Sequence, residues 1–292
     1  MSPVLALLSA FLYGVSMVLA KVGLKTMDTF FGALISMGFS FIGSLLLFIF
    51  FVPVSSFAGW GLLFFIIAGL SGPCLGRFFL FIGINRVGSS TASSIYAIKP
   101  LFSALAAILI LRESMTFGIA VATLIMIGGL VIISTSEPDT AIQKSWAKKD
   151  LIYPLMAGAA YGAAHVFRKI GLNIDHDPMM GVVLQNTTAL AFSLPLLLLK
   201  KNRLQKGRLQ LWAWMAFGGS GFFSVLGQLC LFQALETGSV VIVSPLSAIS
   251  PLFVIVMAGL FLRRQEQVTV KIILGAICII LGTVLLTLVS RG

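Results

Sequence analysis

The sequence is poor in charge, and poorest in negative charge. Only 10% of its residues are charged, against about 25% in water-soluble domains, which excludes a soluble globular protein. Histidines number two and cysteines three. No CxxC, HExxH, Ser/His/Asp signature or GxxxxGK[ST] phosphate loop occurs in the chain. Catalysis is therefore not expected, no cofactor or metal is called for, and no ATPase subunit is indicated. Cys74, Cys230 and Cys278 all fall inside apolar runs, where they read as small packing residues and not as a disulfide framework.

Apolar sequence fills the space that charge leaves. Hydrophobic residues make up 59% of the 292, and mean hydropathy is +1.07. A helix needs about 20 apolar residues to cross the hydrocarbon layer. Spans are expected over 3–24, 30–52, 61–84, 90–111, 115–135, 151–172, 179–199, 210–234, 239–262 and 268–289. Ten crossings use about 200 to 220 residues, leaving short loops and no room for a soluble domain. The fold class is an all-α integral membrane protein, with the lipid bilayer as its surroundings. The net charge of +11 reads as loops facing an anionic leaflet, not as nucleic-acid binding. Met1-Ser2-Pro3 runs straight into Val4 to Ala20 without a basic lead, so the first apolar run is expected to be a span and not a cleaved signal.

The longest polar stretch, Ser136 to Asp150, divides the chain into a first repeat over 1–136, a linker over 137–150 and a second repeat over 151–292. The halves align. Tyr13, Gly14, Lys21, Gly23 and Leu24 match Tyr161, Gly162, Lys169, Gly171 and Leu172 at an offset of 148. Gly69 and Gly88 match Gly219 and Gly238 at 150, and Pro100, Leu101, Phe102 and Arg112 match Pro251, Leu252, Phe253 and Arg263 at 151. Glu113, Thr116 and Gly129 match Glu266, Thr269 and Gly282 at 153.

Five spans per half turn the second copy upside down in the membrane. Inverted repeats of this kind underlie alternating access in many secondary transporters, with the substrate near midplane between the copies. Loop charges agree with inversion: loop 51–58 carries no basic residue, while its counterpart 200–208 carries five. One side collects Lys21, Lys25, Arg86, Lys144, Lys148, Lys149, Lys200, Lys201, Arg203, Lys206, Arg208, Arg263, Arg264 and Lys271; the other holds Arg112, Arg168, Lys169 and Arg291. The positive-inside rule makes the richer side cytoplasmic and puts both termini outside.

Several features now coincide: a glycine opening the fourth span of each half (Gly88, Gly238), a mid-span proline (Pro100, Pro251), and span ends Leu111-Arg112-Glu113 and Leu262-Arg263-Arg264-Gln265-Glu266. The chain resembles the EamA-type members of the drug/metabolite transporter superfamily over essentially its whole length. The resemblance implies ten transmembrane helices as two inverted five-helix repeats around a central cavity, lined by spans 1, 3, 4, 6, 8 and 9. It also implies movement of small metabolites without ATP. It leaves the substrate open, because the superfamily includes amino-acid exporters, sugar-phosphate and nucleotide-sugar exchangers, and lipid-linked sugar flippases.

Ionisable residues at mid-span carry the chemical information, since each costs at least ~2.5 kcal/mol at a helix centre. All nine acids lie in loops or at span ends. The superfamily's small multidrug exporters use a membrane-embedded glutamate; its counterpart is missing here, which argues against a cationic drug. Lys99 lies roughly 14 Å from one end of its span and 18 Å from the other, just before Pro100. It either binds an anionic substrate or is satisfied by backbone carbonyls and water. Arg77 sits about 10 Å deep on the same side; it either brackets an anion with Lys99 or snorkels to the interface. Their counterparts are Gly227 and Ser250, so the expected site is asymmetric. Tyr13, Tyr96, Tyr161, His165 and Gln228 complete the candidate lining, each with ordinary packing or interhelical hydrogen bonding as the alternative. The sequence points to a secondary transporter of a small anionic or zwitterionic metabolite in a bacterial or archaeal cell (inner) membrane. A flippase for an anionic lipid-linked sugar is the alternative, and a membrane-embedded enzyme the remote one.

Overall fold

The computed structural model describes residues 1–23, 29–51, 59–87, 89–135, 147–199, 211–261 and 270–289. Gly88, the polar loops 52–58 and 200–208, the motif at 262–266 and most of the linker lie outside the described residues. The described backbone is helical, because in hydrocarbon the N–H and C=O groups must find partners within their own segment. The helices are α1 (Ser2–Gly23), α2 (Thr29–Phe51), α3 (Gly61–Gly69), α4 (Arg77–Val87), α5 (Ser89–Tyr96), α6 (Lys99–Ala106), α7 (Phe117–Ser134), α8 (Ile152–Asp175), α9 (Pro178–Leu199), α10 (Leu211–Thr237), α11 (Val240–Ser247), α12 (Ser250–Phe261) and α13 (Val270–Val289). Leu70–Gly76 joins α3 to α4 as a π-helical segment around Pro73, and Ala107–Leu111 is a second one that ends α6.

Among the described residues, seven segments are long and apolar enough to cross a membrane: Ser2–Ala20, Phe31–Phe50, Gly61–Leu80, Ala92–Leu111, Phe117–Ser134, Leu211–Thr237 and Val270–Val289. Val240–Val254 is a further apolar stretch, which α12 continues to Phe261. The long helices outside this group are α8, which holds His165, Arg168, Lys169 and Asp175, and α9, which holds Gln185 and Asn186. The polar side chains of α8 lower its hydropathy. Apolar side chains such as Phe50, Ile66, Leu109, Phe192 and Leu281 are more than a third exposed, as expected of a surface facing lipid.

Proline breaks the helix in the same way at two places. Pro100 has no N–H to give the carbonyl of Tyr96, and the helix opens at Ala97 and Ile98. There Ala97 N–H donates to Ser93 O at 2.9 Å, and Leu101 N–H to Ile98 O at 2.9 Å. In the second half Ala248 N–H donates to Ser244 O at 3.1 Å and Leu252 N–H to Ile249 O at 2.9 Å, ahead of Pro251. All four residue pairs are repeat counterparts.

Helix α1 packs on α10, α11 and α12, while α8 packs on α3, α4, α5 and α6. Helix α2 lies against α9 and α10, and α7 against α13. Small residues permit close approach: a methyl on Gly129 would sit 2.6 Å from Gly275 O, and one on Gly275 2.7 Å from Gly129 O. The α1–α10 seam is an antiparallel heptad ladder of serines. Ser2 Oγ donates to Ala234 O at 3.0 Å, Ser9 Oγ to Gly227 O at 2.8 Å, and Ser16 Oγ to Ser220 O at 2.8 Å.

Helix ends are capped as sequence chemistry dictates. Asp177, preceding Pro178, accepts from Met180 N–H at 2.9 Å, so this aspartate is the N-cap of α9 with proline at N1. Its neighbour His176 ends α8 in the left-handed region (φ 50°). Glu113 of the span-end motif crosses to the second half, where its two carboxylate oxygens accept from Val240 N–H at 2.9 Å and Val241 N–H at 3.0 Å. It satisfies orphan donors at the start of α11 and suits the helix dipole. Lys169 Nζ donates to Leu235 O at 2.6 Å and Glu236 O at 3.1 Å at the end of α10, the complementary arrangement.

Candidate functional site

Helix α8 organises the polar centre. Tyr161, His165 and Arg168 are spaced by four and three residues, which puts them on one face. The glycines of the opposite wall make room for that face. A methyl on Gly76 would meet the Tyr161 ring at 2.6 Å, and one on Gly72 would lie 2.8 Å from the Ala164 methyl and 3.5 Å from Arg168 Nη2. On the α6 side, a methyl on Gly162 would meet Phe102 Cβ at 2.8 Å. Tyr161 stacks edge-on against Tyr96 of α5, centroids 5.6 Å apart.

Lys99 follows the break before Pro100 and lies with its ammonium 5.9 Å from the Tyr96 ring centroid, a cation–π contact. It is half-buried, and the nearby basic group is Arg168. The expectation from spacing was that Arg77 would accompany Lys99. Arg77 instead joins the group through Tyr13 and Tyr96, each of which lies within electrostatic reach of both Arg77 and Arg168.

Arg168 corrects the loop-charge reading. Placed there among the charges of one membrane face, it is in fact 4% exposed within α8. Its Nε donates to Gln185 Oε1 at 2.6 Å, Gln185 Nε2 donates to Gln228 Oε1 at 3.1 Å, and Gln228 Nε2 donates to Ser224 Oγ at 3.2 Å. The guanidinium also stands 5.6 Å from the Phe232 ring centroid. Among the described residues no carboxylate lies within ion-pair distance of it. Gln228 is 7% exposed and is joined to Arg168 through Gln185. The signal for Arg168 was present in the sequence, as the third member of the Tyr161, His165, Arg168 face.

His165 is 2% exposed, and its Nδ1 has no hydrogen-bond partner among the described residues. It lies within electrostatic reach of Lys99 and Arg168. Tyr13, Arg77, Tyr96, Lys99 and Tyr161 are each partly exposed. Tyr13, Tyr96, Tyr161, Lys99 and His165 lie within electrostatic reach of Arg168, Arg77 lies within reach of Tyr13 and Tyr96, and Gln228 is joined to Arg168 through Gln185. Ser244, a further polar candidate, donates to Ser103 Oγ at 2.8 Å and ties α11 to α6. Among the described residues the arrangement is rich in donors and holds no carboxylate, a chemistry suited to an anion.

Comparison with known proteins bears on the whole chain. A model of the EamA-like transporter family matches residues 1–135 and 149–288. An uncharacterized protein of Methanocaldococcus jannaschii is 30% identical over 138 residues, which is 47% of this chain and 96% of that protein. A solved crystal structure superposes with a TM-score of 0.82 over 99% of this chain and 98% of its own, at 14% identity; it is similar in fold.

Proposed function

The chain belongs to the EamA-like transporter family, and from that premise we propose that it is a secondary transporter of a small anionic or zwitterionic metabolite bearing a carboxylate or phosphate. Arg168 carries the reading: a guanidinium 4% exposed, held by Gln185, with no acid beside it among the described residues. A buried arginine without a counter-charge is costly in a membrane, and a bound anion would offset that cost. Lys99, Arg77, His165, Tyr13, Tyr96 and Tyr161 complete the proposed substrate site, with Gln228 and Gln185 as positioning residues. The chemistry asked of these groups is recognition and release; the reading includes no catalysis and no ATP.

The proposed architecture is ten spans in two inverted repeats, 1–136 and 151–292, joined by 137–150. Several observations support it. The two proline-associated breaks share their hydrogen bonds. Gly14 faces Phe253 as Gly162 faces Phe102. The archaeal relative matches 47% of the chain with 96% of its own length, about one repeat. Alternating access would rock the repeats about the midplane site. Removing Arg168 from the loop tally leaves Arg112, Lys169 and Arg291 against fourteen basic residues, which favours the richer face as cytoplasmic in a bacterial or archaeal cell membrane.

The test is ligand-induced thermal stabilisation, because a ligand that binds the folded state raises stability by RT ln(1 + [L]/Kd). Carboxylates, amino acids, phosphate esters, nucleotide sugars and lipophilic cations would be compared on wild type and Lys99→Gln. Stabilisation by anions that the substitution weakens supports the reading. Equal stabilisation of both proteins by cations or neutral compounds would refute it.

A further inference from the structure

The charge of the site narrows the substrate class, a step that rests on the anion-transport reading. Lys99 has three N–H donors and, among the described residues, only the Tyr96 ring as partner. Arg168 uses Nε for Gln185, leaving the N–H groups of its planar fork without an acceptor among the described residues. His165 adds a buried Nδ1 with no partner. Arg77 brings a third cation within reach of the same tyrosines.

The described acids lie elsewhere, at helix ends. Glu113 is taken by the N–H groups of α11, Asp150 by Ala147 N–H and Arg86, and Asp177 by Met180 N–H. Asp175 stands against Gly59 and Gly61, and Glu236 lies in the last turn of α10. An ammonium group entering with a zwitterion would find like charge and no carboxylate. A single negative charge would leave two cations uncompensated where charge is expensive to bury.

We propose that the site takes a small organic dianion, a phosphate monoester or a dicarboxylate, with Arg168 supplying the planar fork and Lys99 the compact charge. Guanidinium forks match carboxylate and phosphate oxygens in pairs. His165, within electrostatic reach of both cations, offers its unpartnered Nδ1 as a further contact. Zwitterions and monoanions of the same size are poor ligands.

The experiment measures binding to the purified full-length protein at pH 7.5, where a phosphate monoester carries nearly two charges. Matched pairs isolate the second charge: succinate with its monoamide, and glycerol 3-phosphate with its methyl diester, beside alanine as a zwitterion. The expected result is that one dianion binds about tenfold or more tightly than its monoanionic partner. The substitution Lys99→Gln, at a half-buried position, should bring that pair level; the wild-type comparison stands even if the variant folds poorly. Equal binding within each pair, or tighter binding of alanine, overturns the dianion assignment while leaving anion transport intact. If neither pair binds and alanine does not either, but lipophilic cations do, the transport reading and this proposal fail together.

Discussion

The breaks before Pro100 and before Pro251 share their backbone hydrogen bonds, yet the side chains around them differ. Around α8, the first-half wall carries Arg77, Tyr96 and Lys99; the repeat counterparts around α1 are Gly227, Ser247 and Ser250. On α8 itself, His165 and Arg168 correspond to Met17 and Ala20 of α1, leaving Tyr13 and Tyr161 as the retained pair. The α1–α10 side is held by serine hydroxyls on backbone carbonyls. The α8 side is held by a side-chain relay from Arg168 through Gln185 to Gln228. The matching breaks thus occur twice, while charge is placed beside one of them only.

Charge removal should break this comparison most severely. Arg168→Gln is expected to lower anion uptake into proteoliposomes about 10- to 100-fold, the loss of roughly 1.5–3 kcal/mol for hydrogen bonds to a charged group; unchanged uptake would make Arg168 structural. Steric substitutions come next. Gly76→Ala drives a methyl against the Tyr161 ring and should destabilise by about 1–3 kcal/mol. Its opposite-half control, Gly227→Ala, meets neighbours no closer than 3.4 Å and should change stability by less than about 1 kcal/mol. Reversible unfolding in detergent reads both, and equal losses would remove the distinction between the walls.

A milder contrast pairs Lys99→Gln with Ser250→Ala. The first should weaken anion binding about tenfold, or roughly 1.4 kcal/mol, and the second should leave it unchanged; titration calorimetry decides, and a comparable loss at Ser250 would show that both halves bind substrate. The smallest effect belongs to the serine seam. Ser9→Ala should cost about 0.6 kcal/mol, typical of one interhelical hydrogen bond in a membrane protein, without altering anion affinity. A change in affinity there would mean the seam moves during the cycle.

Much of the frame was legible from hydropathy and self-similarity. Pro100 and Pro251 marked the two breaks, because a missing N–H acts on its own helix wherever that helix lies. Asp177-Pro178 announced the start of α9 for the same local reason. Arg168 was harder to read. Four residues from the expected end of its span and next to Lys169, it looked like a loop charge, yet the two neighbours part ways: Lys169 reaches the carbonyls ending α10, and Arg168 turns inward to Gln185. Angular position on the helix separates them, and hydropathy averages over angle. The role of Glu113 was hidden for another reason, since its acceptor function depends on N–H groups 127 and 128 residues away.

The sequence by itself determined that this chain is helical and apolar, with its acids clear of the middle of the apolar runs. Those properties are sums over local stretches, where spacing, hydropathy and the missing proline N–H act without knowledge of distant neighbours. Only the tertiary structure decided that Lys99 keeps company with Arg168, that Gln185 and Gln228 stand behind the guanidinium, and that Gly72 and Gly76 yield their space to α8. Each of those contacts joins helices remote in sequence, and close packing, in which a single methyl matters, selects which faces meet.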